Sequence, residues 1–212
     1  MTDDPAKPRR NRDPRPGGER RTGDTRRAFV AVLPSEAVGE GLGALRRGLE
    51  PALPGLRWVA PGNLHFTLRF FGDLTGPEIE RAGEVLDRTA AAALPFPLVL
   101  TGLGVFPGWR RPRVLWVGVG KGGERLEALA RVIERGFREA RLGKADKPFV
   151  PHLTLGRWRE SRGLDIDAAR AACEGMEWEA GLTVEQVQLT ASELAPGGSV
   201  YTPLHVAALG AR

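Results

Sequence analysis

The chain has 212 residues, of which 42% are hydrophobic, and a formal net charge of +5; this is enough sequence for one two-lobed domain with a substantial core. The single cysteine excludes an internal disulfide framework and a cysteine zinc cluster, and it favours a reducing, cytoplasmic setting. No apolar run approaches the ~18 residues of a membrane span, and the N-terminus lacks the apolar stretch of a signal peptide.

Positive charge is concentrated at the N-terminus. Residues 1–27 hold nine Lys or Arg against five Asp or Glu, which leaves 22 basic and 21 acidic residues for the rest. This near-neutral remainder argues against a long cationic groove for duplex nucleic acid. The first 27 residues predict a disordered basic tail, which is either simply solvated or attracts RNA. A single domain is expected over residues 28–212.

The domain is predicted to begin with alternating strands and helices. The apolar run 28–33 indicates a buried strand, and Ser35 is placed to cap the helix that follows it. A second strand is expected over 64–71. The next helix should begin at Thr75, with Glu78 as its capping-box partner.

Five further strands and two further helices are expected later in the chain. In order they are strands over 96–103 and 114–119, a strongly amphipathic helix over 124–141, a strand near 152, a weaker helix over 165–173, and strands over 182–194 and 201–208.

One tetrapeptide pattern, His-apolar-Thr-Leu, occurs twice, at 65–68 and at 152–155. In an extended strand alternate side chains share a face, so each histidine lies beside its threonine. The chain has three histidines in total, so chance poorly explains why two of them occupy the same position in matching tetrapeptides. We therefore expect His65, Thr67, His152 and Thr154 to converge on one site.

An internal repeat underlies the two motifs. Sliding the sequence by 87 positions aligns the two motifs, and it also places Phe29 on Trp116 and Leu42 on Leu129. The alignment extends over a strand, a helix and a motif strand. It predicts two similar lobes about a pseudo-twofold axis, with one site in the cleft between them.

Two histidines and two hydroxyls suit a reaction at phosphorus. Imidazole has an unperturbed pKa of about 6.5, so one ring can act as a base while the other acts as an acid. The threonine hydroxyls would hold non-bridging oxygens. Zinc catalysis is the competing interpretation, but it usually needs three or four His, Cys or carboxylate ligands, and the motifs offer threonine instead. We therefore expect neither a metal nor a cofactor.

The motifs and their flanks resemble the 2H phosphoesterase superfamily, in particular its bacterial and archaeal RNA 2′,3′-cyclic phosphodiesterases, historically called 2′-5′ RNA ligases. The resemblance is carried by the two motifs and their preceding segments, and it extends over nearly all of residues 28–209. The preceding segments are 59–64 and 147–151, and the other matching segments are 102–107, 112–116, 192–194 and 201–204.

This resemblance implies an α+β fold with two lobes, in which two pseudo-twofold-related antiparallel sheets carry helices outside and a cleft between them. It also implies metal-independent hydrolysis of an RNA-terminal 2′,3′-cyclic phosphate to a 2′-phosphate, with weaker reverse 2′-5′ ligation. His65 would be the proton donor to the leaving 3′-oxygen, and His152 the proton acceptor from water. The expected partner is an RNA end or a cyclic nucleotide, and the expected assembly is a monomer.

Three further residues are candidates for substrate binding. Arg157 matches a family position that contacts the ligand, although its odd spacing from His152 requires a bulge near Gly156 to bring it to the same face. Arg69 lies an even number of residues after His65 and Thr67, so an extended strand would place it on the same face as these two residues. Phe149 is placed to stack on the terminal base, and its alternative is a core aromatic before a strand.

The remaining features of the sequence are not assigned to the site. The basic aromatic loop 106–113 either contacts upstream phosphates or is merely solvated. His205 has no partner threonine and is interpreted as structural, and Cys173 as a packed, inert thiol.

The alternative function is a non-catalytic module that binds an RNA end or a nucleotide in the same cleft.

Overall fold

The computed structural model describes residues 24–145, 147–196 and 198–210. The predicted tail lies almost wholly outside these residues. Strand β1 begins at Thr25, three residues before the predicted start of order, because Thr25 and its two successors pair with the end of β3.

Nine strands and four α-helices make up the described part of the chain. They are β1 (Thr25–Val32), α1 (Glu36–Leu49), β2 (Leu56–Trp58), β3 (Phe66–Thr75), α2 (Gly76–Ala91), β4 (Phe96–Phe106), β5 (Val114–Val119), α3 (Gly123–Glu139), β6 (His152–Trp158), α4 (Ile166–Glu174), β7 (Glu179–Val184), β8 (Gln186–Ala195) and β9 (Gly198–Ala208). Single 3₁₀ turns occupy Glu50–Ala52 and Pro61–Asn63.

The strands form two antiparallel sheets. The first has the order β3-β1-β8-β9, and the second has the order β2-β6-β5-β4-β7. The first motif strand, β3, belongs to the first sheet, and the second motif strand, β6, belongs to the second. Despite this separation, β3 and β6 approach each other with Cα atoms within 8 Å. The predicted α+β fold with two antiparallel sheets is confirmed.

The two halves of the repeat are interlocked. Strands β4 and β8 correspond to each other in the repeat, yet β8 pairs with β1 of the first half and β4 pairs with β5 of the second half. Strand β2 of the first half likewise pairs with β6 of the second. Each sheet therefore contains strands from both halves of the sequence.

Three of the four helices begin at a capping side chain. The Ser35 side chain accepts a hydrogen bond from the Val38 backbone N–H at the start of α1. At the start of α2, the Thr75 backbone N–H donates to the Glu78 carboxylate at 2.9 Å. The Asp165 carboxylate accepts from a backbone N–H in the first turn of α4. All four helices that the sequence predicts are present.

Two strand predictions need correction. The single strand predicted over 182–194 is in fact β7 and β8, and the chain changes sheet at Glu185. Apolar residues alternate at even positions up to Val184 and at odd positions from Val187, so this change of phase marks the break. Strand β2 was not predicted, because three residues are too few to show alternation.

One hydrophobic cluster joins the helices to both sheets. It includes Leu42 of α1, Leu86 of α2, Phe137 of α3, Val30 of β1 and Leu153 of β6, all nearly inaccessible to solvent. Within the described residues, no helix has the length and apolar character needed to cross a membrane.

Candidate active site

Both motif histidines have the same local structure. Nδ1 of His65 lies 2.7 Å from the carbonyl oxygen of Asn63. Nδ1 of His152 lies 2.8 Å from the carbonyl oxygen of Val150. A carbonyl oxygen only accepts hydrogen bonds, so each Nδ1 carries a proton and donates it. Each Nε2 is therefore left to accept a proton from a ligand, or to donate one, according to the charge of the ring.

Aromatic side chains hold the two imidazoles in place. The Phe29 ring centroid lies 4.7 Å from that of His65. Tyr201 of β9 meets the same imidazole edge-on at 5.3 Å. Phe106, the last residue of β4, meets His152 edge-on at 5.0 Å. These contacts restrict both rings and keep each Nε2 in a fixed direction.

A β-bulge follows the threonine in each motif strand. In β3 the register shift makes Leu68 the extra residue, because its two neighbours pair with consecutive residues of β1. In β6 the extra residue is Leu155, at the equivalent position of the repeat. Such a bulge reverses the alternation of faces. The face that carries Thr67 or Thr154 therefore continues three residues later instead of two.

Arg157 lies on the face of Thr154 because of this bulge. The register shift that was predicted near Gly156 is present at the neighbouring Leu155. Arg157 shares a cavity wall with Thr154 and His65. Its positive charge is close enough to lower the pKa of that histidine.

The parity predicted for Arg69 is wrong for the same reason, because the bulge at Leu68 turns its side chain away from Thr67. Arg69 forms part of a cavity wall, but it is only 4% exposed and its Nη1 lies 2.6 Å from the Glu134 carboxylate of α3. Glu134 also accepts a hydrogen bond from the Ala145 backbone N–H at 2.8 Å. Arg69 therefore connects β3 to α3 and to the segment after it.

Phe70 takes the place in β3 that Arg157 takes in β6, since 87 residues separate them. Its ring is 46% exposed, and the guanidinium of Arg27 lies 4.9 Å from the ring centroid. The bulge thus places a large aromatic ring in one lobe and a cation in the other at equivalent positions of the cleft.

Two adjoining cavities open beside the motif strands, and both are lined by Thr67 and Phe70. The smaller, the His65 cavity, has a volume of about 190 Å³. The larger, the His152 cavity, has a volume of about 600 Å³, which lies in the range of roughly 300–1,000 Å³ typical of small-molecule sites. The His65 cavity is also lined by His65, Phe29, Asn63, Thr154, Arg157 and Tyr201. The His152 cavity is also lined by His152, Phe106, Pro107, Lys147, Pro148 and Phe149.

The environment of His65 favours its neutral form. Burial lowers the pKa of His65 below its ordinary value of 6.5, and the charges of Arg157 and His152 lower it further. The hydrogen bond with the Asn63 carbonyl acts in the opposite direction. The two motif histidines are therefore electrostatic neighbours in one cleft, as the repeat predicts.

Other residues of the cleft were not predicted as site residues. In the His65 cavity they are Phe29, Val59, Asn63, Phe70, Ser192 and Tyr201. Asn63 fixes the turn before the first motif, because its side-chain amide donates to the Ser199 carbonyl oxygen at 2.7 Å. Phe29 was visible only as a match in the repeat. Tyr201, the single tyrosine of the chain, stood in a segment that resembles the family.

The residues interpreted as structural lie outside the cleft. His205 Nε2 is 2.7 Å from the Asp87 carboxylate of α2, so it links β9 to that helix. Cys173 is buried in α4, and burial, with the nearby Glu174 charge, raises the pKa of its thiol to about 11. In the loop 106–113, the Arg113 guanidinium donates to the Arg159 carbonyl oxygen.

Phe149 is half-buried and has features of both interpretations. It lines the His152 cavity and also packs against the core.

Within residues 24–145, 147–196 and 198–210, no group of three or more His, Cys, Asp or Glu side chains is arranged to hold a metal ion.

Comparison with known proteins agrees with this fold and cleft. The family model described as LigT like phosphoesterase matches residues 32–116 and again residues 117–201, in agreement with the internal repeat. The RNA 2′,3′-cyclic phosphodiesterase of Methanothermobacter thermautotrophicus is 36% identical over 85% of this chain and 97% of its own length.

Solved structures show the same architecture. A protein of Thermus thermophilus has a TM-score of 0.71 at 30% identity, over 87% of this chain and 98% of that one. Escherichia coli LigT complexed with 3′-AMP has a TM-score of 0.70 at 25% identity, over 89% of this chain and all (100%) of that one. The chain therefore belongs to the LigT-like phosphoesterases, a family of the 2H superfamily.

Proposed function

We propose that this chain is a metal-independent hydrolase that opens an RNA-terminal 2′,3′-cyclic phosphate to a 2′-phosphate. The observation that carries the proposal is the pair of imidazoles whose Nδ1 atoms have equivalent hydrogen bonds and which line two adjoining cavities. The name of the Methanothermobacter relative, RNA 2′,3′-cyclic phosphodiesterase, supports the substrate class.

In the proposed reaction the two histidines transfer protons on opposite sides of the phosphorus. His152 Nε2 accepts a proton from water as the water oxygen bonds to phosphorus. The bond from phosphorus to the 3′-oxygen breaks, and this oxygen takes the proton from Nε2 of the protonated His65. The bond to the 2′-oxygen stays intact, so the product is a 2′-phosphomonoester. Proton exchange with solvent then restores both rings.

The neighbouring polar groups stabilise the charge that develops on the non-bridging oxygens. Thr67 and Thr154 present hydroxyls at equivalent places in the two lobes, and Arg157 adds a positive charge next to them. Donors that are held in position before the reaction lower its barrier without reorganisation. We assign Phe149, in the wall of the His152 cavity, to stacking on a base.

Three parts of the proposal concern the wider context. The same groups would join a 2′,3′-cyclic end to a 5′-hydroxyl as a weaker 2′-5′ ligation, in which the 5′-oxygen replaces water in bonding to phosphorus and the bond to the 3′-oxygen breaks. One chain supplies every residue of the cleft, so we propose that a monomer is sufficient for activity. Because RNA ends arise inside the cell, we propose a cytoplasmic location.

Hydrolysis of a cyclic-phosphate-ended oligonucleotide in the presence of a chelator tests this function. We expect a 2′-phosphate product from the wild type. Alanine at His65 or at His152 should lower kcat by about 10²–10⁴-fold, the usual contribution of one positioned acid or base. His205→Ala is the matched control, since the third histidine lies outside the cleft and should retain wild-type turnover.

Two results would contradict the proposal. A 3′-phosphate product would show that the 2′-oxygen is the leaving group. Binding of the oligonucleotide without turnover, and without any effect of the two alanine substitutions, would instead support a non-catalytic module for RNA ends.

A further inference from the structure

Two arginines stand side by side at the edge of the cleft. Arg57 of β2 lies directly opposite Arg157 of β6 in the antiparallel ladder. Directly opposite residues point to the same face of a sheet, with Cβ atoms about 4.5–5.5 Å apart. The flanking pair, Leu56 and Trp158, is buried on the other face. Arg57 therefore leaves the sheet on the same side as Arg157.

The position of β2 beside the His65 cavity is fixed by close packing. The Val59 backbone N–H donates to the Leu155 carbonyl oxygen at 2.8 Å, and Val59 itself lines the His65 cavity. A Cβ atom at Gly156 would lie 2.8 Å from the Leu56 side chain and 3.0 Å from the Arg57 carbonyl oxygen. This close approach allows β2 little movement, so the backbone of Arg57 is held beside Arg157, which lines the cavity.

Among the residues that the structure describes, no carboxylate pairs with either guanidinium group. Both side chains are exposed. Like charges directly opposite each other in a ladder are destabilising. The repulsion between these two arginines disfavours the folded state unless anions bind to them. Two adjacent arginines beside a phosphate-binding cleft therefore indicate a ligand with two anionic groups.

We propose that Arg57 binds the phosphodiester one nucleotide upstream of the reacting end and so favours an RNA chain over a cyclic mononucleotide. This inference rests on the proposed function. The reacting phosphate pairs with Arg157, so Arg57 is left to bind a second anion. In an RNA chain the next anion is the linkage before the terminal nucleotide. A cyclic mononucleotide has no such group.

A neutral linkage at that one position tests the proposal. We compare an oligonucleotide that ends in a 3′-phosphate with the same oligonucleotide carrying a methylphosphonate at the linkage before its terminal nucleotide. Wild-type affinity, measured by fluorescence anisotropy, should fall about three- to tenfold with the neutral linkage, the size of one exposed charge-assisted contact. In Arg57→Gln the ratio of the two affinities should approach one, and in Arg57→Lys most of the discrimination should remain.

Arg81→Gln is the matched control, because it removes one exposed positive charge from helix α2 outside the cleft. It should retain the wild-type ratio of affinities. Full discrimination in Arg57→Gln, or none in the wild type, would overturn the inference. Because the probes are not hydrolysed, this result is independent of turnover. Hydrolysis of a cyclic mononucleotide by the wild type tests the proposed function separately.

Discussion

The proposed acid, His65, is held in a setting that disfavours its charged form. Burial lowers its pKa below 6.5, and Arg157 lowers it further. A bound phosphate opposes the effect of Arg157, because its negative charge favours the imidazolium. The site therefore protonates His65 most readily when a phosphate is present.

Arg157→Gln should raise the pKa of His65, because it removes one of the charges that lower it. We expect NMR titration of the ring to give a wild-type pKa below 6.5 and a higher value in the variant. His65 must be protonated to act as the acid, so the fraction of enzyme with a competent acid falls as pH rises through its pKa. At a pH near the wild-type pKa, a larger fraction of His65 should therefore be protonated in Arg157→Gln. An unchanged titration would show that Arg157 does not act on this ring.

For single residues, the sequence predicted which motif side chains reach the cleft better than it predicted the strand face on which each arginine lies. The residue types and spacing of the two motifs placed four side chains in one cleft. The face of Arg157 depended on a bulge that Gly156 suggested. Arg69 has no such signal beside it, since nothing in the tetrapeptide shows that Leu68 is an extra residue in the ladder.

Helix α3 positions one rim of the cleft through a single carboxylate. One Glu134 oxygen binds Arg69 of β3, and the other accepts from the Ala145 backbone N–H. The segment that follows leads to Lys147 and Phe149 in the wall of the His152 cavity. The ion pair therefore joins a motif strand, a helix and a rim segment.

Glu134→Gln should destabilise the fold and loosen this rim. The nearly buried Arg69 loses its counter-charge, which we expect to cost about 1–3 kcal/mol in the free energy of unfolding. KM should rise more than kcat falls, because the rim binds substrate but takes no part in proton transfer. Glu127→Gln, which breaks an exposed pair on the same helix at 3.5 Å, should stay within about 0.5 kcal/mol of wild type. Equal effects of the two substitutions would contradict this role for Glu134.

The helices were predictable because each carries an apolar stripe, and α1, α2 and α4 also begin at a capping side chain. Helix α3 has no capping side chain and was predicted from its stripe alone. Strand pairing was less accessible, because it depends on residues far apart in the chain. The apolar alternation changes phase after Val184, which marks where one apparent strand divides, but it does not show which sheet each part joins. The short β2 becomes a strand only through its partner β6.

The exchange of β4 and β8 between the lobes makes the domain a single folding unit. Each half of the sequence lacks a strand that its sheet needs, and one hydrophobic cluster spans both sheets. The repeat predicted the two lobes but not this exchange. Equilibrium unfolding should therefore show one transition.

Phe137→Ala should lower the stability of both lobes together. The ring is fully buried in α3 and lies 4.8 Å from that of Phe71 in β3. Its removal leaves a cavity, which we expect to cost about 3–5 kcal/mol in the free energy of unfolding. Tryptophan fluorescence and far-ultraviolet circular dichroism in urea should shift to one common lower midpoint. Separate midpoints for the two signals would show that the lobes unfold independently.

The unlike pair Phe70 and Arg157 breaks the near-twofold symmetry of the cleft. The phosphorus of a cyclic phosphate is prochiral, and in this cleft one of its two free oxygens would lie nearer the guanidinium than the other. Sulfur in place of one oxygen gives two diastereomers with different charge and size on the two sides. We expect the enzyme to consume one phosphorothioate isomer faster than the other, and chromatography of the unreacted mixture would show which oxygen Arg157 contacts.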